Sequence, residues 1–227
     1  MKKFSFSGLN ERTNKEQILA KVRNAVITKD ENLFSDVNLQ SDTWKPFTEE
    51  DGCEFTFIKR FKNNDGIFMY FENERNFIDA LKQYIVENQW NPLFCTSPGI
   101  KTFLDANEAG IELCDDFSTE CKKMTCITDC ECLVAQTGSI VISDRCAGSN
   151  DAFSKADTLL IFAKPSQLVD GMKDAINYLK KKYQDDMPTE TVFINGPSRS
   201  IEFDNQLVIG AQGIRQIALF FVDDEII

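Results

Sequence analysis

Short, nearly unbroken apolar runs constrain this chain more than any other feature. They are Ile67-Phe68-Met69-Tyr70-Phe71, Leu93-Phe94-Cys95, Ile111 to Cys114, Met124 to Ile127, Ile140-Val141-Ile142, Thr158 to Ala163, Val192-Phe193-Ile194 and Ile217 to Val222. A strand with one face in water alternates polar and apolar residues. Runs without that alternation need cover on both faces. Between several of them lie stripes at helical spacing. Phe77, Ile78, Leu81, Tyr84 and Ile85 form one. Ser97-Pro98 opens another helix, with proline in the first turn, where its missing N–H costs nothing. A third helix is expected after Lys164-Pro165-Ser166, carrying Leu168, Val169, Met172, Ala175, Ile176 and Leu179 on one side. This alternation implies an α/β fold, a mostly parallel sheet with helices on its faces.

Residues 1–50 read differently. Thr13-Asn14-Lys15-Glu16 is a capping-box pattern, and Ile18, Leu19, Val22, Ala25 and Val26 share a face, so a helix is expected over about 14–28. Residues 30–50 read as an extended connector. The expected organisation is an N-terminal helical segment and connector over 1–50 and an α/β domain over 51–227. Residues 51–63 look weakly helical, and Asn63-Asn64-Asp65-Gly66 is a turn signal.

The 227 residues carry 36 acidic against 25 basic side chains, a net charge of −11. Phosphate neutralisation needs clustered Lys and Arg, which argues against a nucleic-acid partner. Lys180-Lys181-Lys182 reads as the last turn of a helix, where cations complement the helix dipole. No apolar stretch approaches the roughly 20 residues of a membrane span. The start, MKKFSFSGLNERTNK, has no apolar core of a signal peptide, so a cytoplasmic protein is expected. Histidine is absent, which rules out Ser-His-Asp and Cys-His catalysis. Of eight cysteines, none are spaced C-x-x-C, so a zinc or ferredoxin-type site is poorly supported and reduced, half-buried thiols are expected.

Three turns could carry chemistry. Thr137-Gly138-Ser139 offers two hydroxyls and a backbone able to approach an anion closely, or it is simply a tight turn into a core strand. Asn195-Gly196-Pro197-Ser198-Arg199-Ser200 follows a strand expected in the parallel sheet, and such sheets bind ligands beyond the carboxyl ends of their strands. Ser198 and Ser200 could cap a following helix, and Arg199 could grip a carboxylate or phosphate, with Glu202 one turn along. An Arg199–Glu202 pair on a capped helix is the equally open alternative. Gly210-Ala211-Gln212-Gly213 would end a short helix through Leu207-Val208-Ile209. Together the turns could form a polar pocket at one edge of the sheet.

The segments TCITDCECLVAQTGSIVIS and GPSRSIEFDNQLVIGAQG, with AKPSQLVDGMKDAINYL between them, resemble the LUD-domain family, specifically its lactate-utilisation protein C type, over roughly residues 65–225. The resemblance implies a three-layer α/β/α sandwich similar to the sugar-phosphate isomerase and CoA-transferase-like fold. It also implies an accessory role in oxidising L-lactate to pyruvate beside iron–sulfur partner proteins, with no cofactor bound by this chain itself. The family's motifs map onto Thr137, Gly138, Gly196, Pro197, Ser198, Arg199 and the Gly210–Gly213 turn, and with Ser139 and Glu202 the expected ligand-binding residues are Thr137, Gly138, Ser139, Gly196, Ser198, Arg199, Glu202, Gly210, Gln212 and Gly213. Departures are specific. Glu202 stands where the family commonly has aspartate, and Gln136 where it commonly has a charged residue. Gln212 replaces the usual histidine and Ile214 the usual proline. Glutamine hydrogen-bonds but does not exchange a proton near neutral pH. Three functions follow as expectations: a small-anion-binding accessory subunit, an isomerase or acyl-transfer enzyme using Glu202 or Asp204 as its carboxylate, or an interaction protein.

Overall fold

The computed structural model describes residues 19, 52–116, 124–148, 155–201, 207–210 and 213–223. The chain divides into two units, Met1–Pro46 and Phe47–Ile227. The helix expected over 14–28 and the connector over 30–50 lie, apart from Leu19, outside the described residues. All elements named below belong to the second unit.

The principal sheet has six strands, all parallel, in the order β1-β12-β7-β4-β2-β3. They are β1 (Ile67–Phe71), β2 (Leu93–Phe94), β3 (Leu113–Cys114), β4 (Thr125–Asp129), β7 (Thr158–Ala163) and β12 (Gln216–Val222). Alternate residues of the central strands enter opposite cores, as the pleat requires. Leu159, Ile161, Ile217 and Leu219 face a cluster with Phe57 and Phe61 of helix α1 (Gly52–Asn63). Leu160, Phe162, Ala218 and Phe220 face the other side. There they meet Phe77, Ile78 and Leu81 of α2 (Glu74–Asn88), and Ile100 and Leu104 of α3 (Pro98–Ala106). The α/β sandwich read from the apolar runs is present, with helical cover on both faces. Ser97 caps α3 by accepting the Ile100 N–H, with Pro98 in the first turn as expected.

A second sheet does not appear in the sequence reading. Its order is β8-β5-β6-β9: β5 (Cys132–Val134), β6 (Ser139–Ser143), β8 (Leu168–Val169) and β9 (Thr191–Ile194). One face, with Leu133, Ile140, Ile142 and Ile194, joins the α1 side of the main core. The other, with Cys132, Val134 and Val141, packs under Ala175 and Leu179 of α5 (Met172–Tyr183). The short α4 (Asp144–Ala147) follows β6.

Three local expectations are corrected. Leu168 and Val169 are not on the third helix: they pair in parallel with Leu133 and Val134, and the helix begins at Met172. Pro165–Gln167 forms a 3-10 turn because the Gln167 amide accepts the Lys164 N–H and donates to the Cys130 carbonyl. Leu207–Ile209 is a strand, β11, and Arg199–Ile201 is β10. The two form an antiparallel pair of their own, so neither Ser198 nor Ser200 caps a helix and Gly210 ends none. Finally, Val192-Phe193-Ile194 is not a parallel-sheet strand: it runs antiparallel to β6. The seven described cysteines are free thiols and five of them are buried.

Candidate functional site

Because β9 belongs to the second sheet, it delivers the Asn195–Ser200 turn to the amino ends of the parallel strands, not to their carboxyl ends. The place where the turns gather is the junction between α1 and β1. The Asn64 side-chain amide donates to the Thr137 carbonyl (3.1 Å) and to the Asn195 side-chain oxygen. Gly138 packs on the backbone of Arg60 and Phe61. Gly196 has φ +82°, and a Cβ there would land on the Asn64 carbonyl oxygen, so glycine is required twice over. The hydroxyls of Thr137 and Ser139 are spent on each other at 2.7 Å.

One residue on, the Asp65 carboxylate accepts from Arg199 at 2.7 Å in a largely exposed ion pair. The β10–β11 hairpin is then stitched to the last strand: Ser198 N donates to Ile214 O and Gly210 N to Ser198 O, both at 2.8 Å. A Cβ added at Gly213 would stand 3.6 Å from the Ser198 Cβ, so the two residues are close neighbours. Gly210 adopts φ +69°, and a Cβ there would lie 2.6–2.9 Å from the Cα, Cβ and Cγ of Arg215. The bare glycine is what lets Arg215 lie across the turn. Thr137, Gly138, Ser139, Gly196, Ser198, Arg199, Gly210 and Gly213 therefore do meet around one junction. Glu202, Asp204 and Gln212 lie outside the described residues.

Beside this junction a cavity of about 440 Å³ opens at the amino ends of β1, β12 and β7. It is lined by Ile67, Gln216 and Thr158, the first residues of those strands, together with Asp65, Asp157, Pro197, Ile209 and Arg215. Asp157 is a structural fixture. Its carboxylate accepts the Met124 N–H (2.9 Å), and its carbonyl accepts from Arg215 N (2.8 Å) and Gln216 N (3.0 Å). Arg215 is held by its backbone while its guanidinium has no partner among the described residues. A guanidinium with an anchored backbone beside a cavity, and without a partner among the described residues, has the chemistry to take an anion. The motif turns build its seat without lining most of the cavity. Arg215 was missed in the sequence because nothing local marks it; the one signal was a lone cation immediately before a buried strand.

The carboxyl end of the sheet holds a second polar group. Asp129, the last residue of β4, accepts from Ser97 Oγ at 2.8 Å. Burial pushes its carboxyl up, and the Ser97 hydrogen bond only partly offsets this. Nearby Glu131 is fully buried and accepts from Ser143 Oγ, Tyr183 OH (2.7 Å) and Lys182 Nζ (2.7 Å). Burial alone would raise Glu131, but these three donors outweigh it and hold the carboxyl below the usual glutamate value. Burial and the Glu131 carboxylate push the Tyr183 hydroxyl up to about 12. These groups satisfy one another.

Among the described residues no helix is long and apolar enough to cross a membrane. Comparison with solved structures finds the crystal structure of a DUF162 family protein from Deinococcus radiodurans. It is 13% identical over 78% of this chain and 99% of that one, with a TM-score of 0.57, a likeness of fold. No curated protein matches the chain. The LUD domain model matches residues 122–222, a span that holds β4 through β12 and six of the eight cavity-lining residues, including Arg215. The resemblance seen in the glycine turns is thereby supported: residues 122–222 are similar to the LUD domain.

Proposed function

We propose that the chain is a small-anion-binding accessory subunit of an L-lactate oxidation system, of the lactate-utilisation protein C type. The observation that carries the binding role is the Arg215 guanidinium, which has no partner among the described residues and is seated by Gly210 at the edge of the cavity. The carboxylate of the ligand pairs with Arg215, and Thr158 and Gln216, which line the same cavity, offer further hydrogen-bonding groups. Arg199 keeps its Asp65 partner and holds the hairpin wall in place. The LUD domain supports the lactate-utilisation context. In this reading the redox chemistry and its iron–sulfur clusters belong to partner proteins, and this chain contributes a binding surface in the cytoplasm.

Two measurements test the reading. Calorimetric titration of lactate, pyruvate and simple carboxylates into wild type and Arg215→Ala should show binding that the substitution weakens about 10- to 100-fold, the range of a hydrogen bond to a charged group. No carboxylate binding to wild type would end the anion role. Lactate oxidation by reconstituted cluster-bearing partner proteins should fall when this chain is left out, and an unchanged rate would end the accessory role. Hydroxylamine trapping after incubation with acyl-CoA separates this reading from acyl transfer, since an accessory binder yields no adduct.

A further inference from the structure

We infer that the cavity takes an amphipathic monocarboxylate with an apolar body larger than lactate or pyruvate. Its carboxylate lies on Arg215 and its body against Ile67, Pro197 and Ile209. The inference rests on the anion-binding reading above and adds the class of ligand.

Size is the first argument. A volume of about 440 Å³ holds about fifteen water molecules at roughly 30 Å³ each. A three-carbon acid would displace only a few of them, leaving most of the cavity wet. Cavities of this volume fall within the range that encloses drug-sized ligands.

The walls are the second argument. Ile67 is 39% exposed and Ile209 42% exposed, large apolar side chains standing in water on the same cavity. Pro197 adds a rigid apolar surface. A ligand with a hydrocarbon body covers these groups, whereas a three-carbon acid has almost no hydrocarbon to lay against them.

Charge is the third. Two carboxylates line the cavity, but Arg199 pairs with Asp65, and Asp157 accepts the Met124 N–H. Asp157 keeps its negative charge, so Arg215, which has no partner among the described residues, is the lining cation that can take an anion, and each further negative charge on the ligand meets repulsion. A phosphate monoester carries nearly two charges near neutral pH and would meet both aspartates. The site therefore favours a single carboxylate.

The test is a chain-length series. Acetate, butyrate, hexanoate and lactate are titrated into wild type, Arg215→Ala and Ile209→Ser, with hexylamine as the cationic control. Affinity should rise about two- to fourfold per added methylene, as expected for partial burial of each. Arg215→Ala should weaken every carboxylate, Ile209→Ser should flatten the chain-length dependence while leaving acetate unchanged, and hexylamine should not bind. Arg215-dependent binding that is equal for acetate and hexanoate overturns this inference and leaves the anion-binding reading intact. Absence of binding by every carboxylate overturns both. Tighter binding of hexylamine than of hexanoate would overturn the charge assignment.

Discussion

The two ends of the parallel sheet are both polar, and they are polar in opposite senses. At the carboxyl end, Glu131 is fully buried and accepts from Ser143, Tyr183 and Lys182, while Asp129 accepts from Ser97. Donors and acceptors there are matched, and the result is a tie between the β4–β5 connection, β6 and the last turn of α5. At the amino end, Arg215 stands at a cavity with its backbone secured and its guanidinium unmatched among the described residues. A satisfied polar cluster holds structure together; a leftover donor on an anchored backbone is available to a ligand. Polarity and burial alone would point to the carboxyl end.

The contrast can be broken in four places. The largest effect is expected at Glu131. Glu131→Ala should lower unfolding free energy by about 3 kcal/mol, the low end for breaking a buried pair because Lys182 is partly exposed. Chemical denaturation measures it, and carboxylate affinity should not change. The same site sets an acid limb. The native carboxyl lies below its unfolded value near 4.3, so its contribution is complete above that pH and fades as pH falls through the native value. Glu131→Gln should be less stable at neutral pH and lack that limb. A mutant curve parallel to wild type below pH 5 would show that Glu131 does not set it.

Next is Gly196→Ala, which combines φ +82° with a collision on the Asn64 carbonyl. A loss of about 2 kcal/mol is expected from left-handed backbone strain and overpacking together, read by thermal or denaturant unfolding. A neutral result would mean that the α1–β1 junction can move aside.

Arg215→Met inverts the Glu131 pattern. Stability should stay within about 0.5 kcal/mol of wild type, as for an exposed side chain outside any network, while carboxylate affinity falls at least about tenfold. A stability loss as large as that at Glu131 would erase the distinction between the two ends.

The smallest effect is expected at Arg199→Ala. Its exposed ion pair with Asp65 contributes less than about 1 kcal/mol. The freed Asp65 carboxylate faces the cavity, so anion affinity should drop only about threefold and recover at high salt, where charges a Debye length apart are screened. Adding Asp65→Asn should restore affinity. Failure of both salt and Asp65→Asn to rescue it would make Arg199 a direct ligand contact.

The amino-acid sequence by itself determined the sheet and its covering helices. Runs such as Thr158–Ala163 and Gln216–Val222, with no polar face, are stable only between two apolar layers, and that requirement is local. It also determined where the chain must turn: Gly196 and Gly210 occupy left-handed backbone, which glycine alone adopts freely. Tertiary structure alone decided which turn serves which end. Leu168-Val169 and Leu207-Val208-Ile209 are too short for periodicity to separate strand from helix, and their pairing partners lie 35 residues away in one case and across the β10–β11 turn in the other. Placing β9 in the second sheet moved the Gly-Pro-Ser-Arg turn to the amino end, where the pairing of β12 with β1 and the close approach of Gly210 bring Arg215, Ile67 and Ile209 to one cavity. Whether a side chain is spent or left over depends on partners far off in the chain. Arg199 found Asp65, 134 residues before it, and Arg215 found none among the described residues.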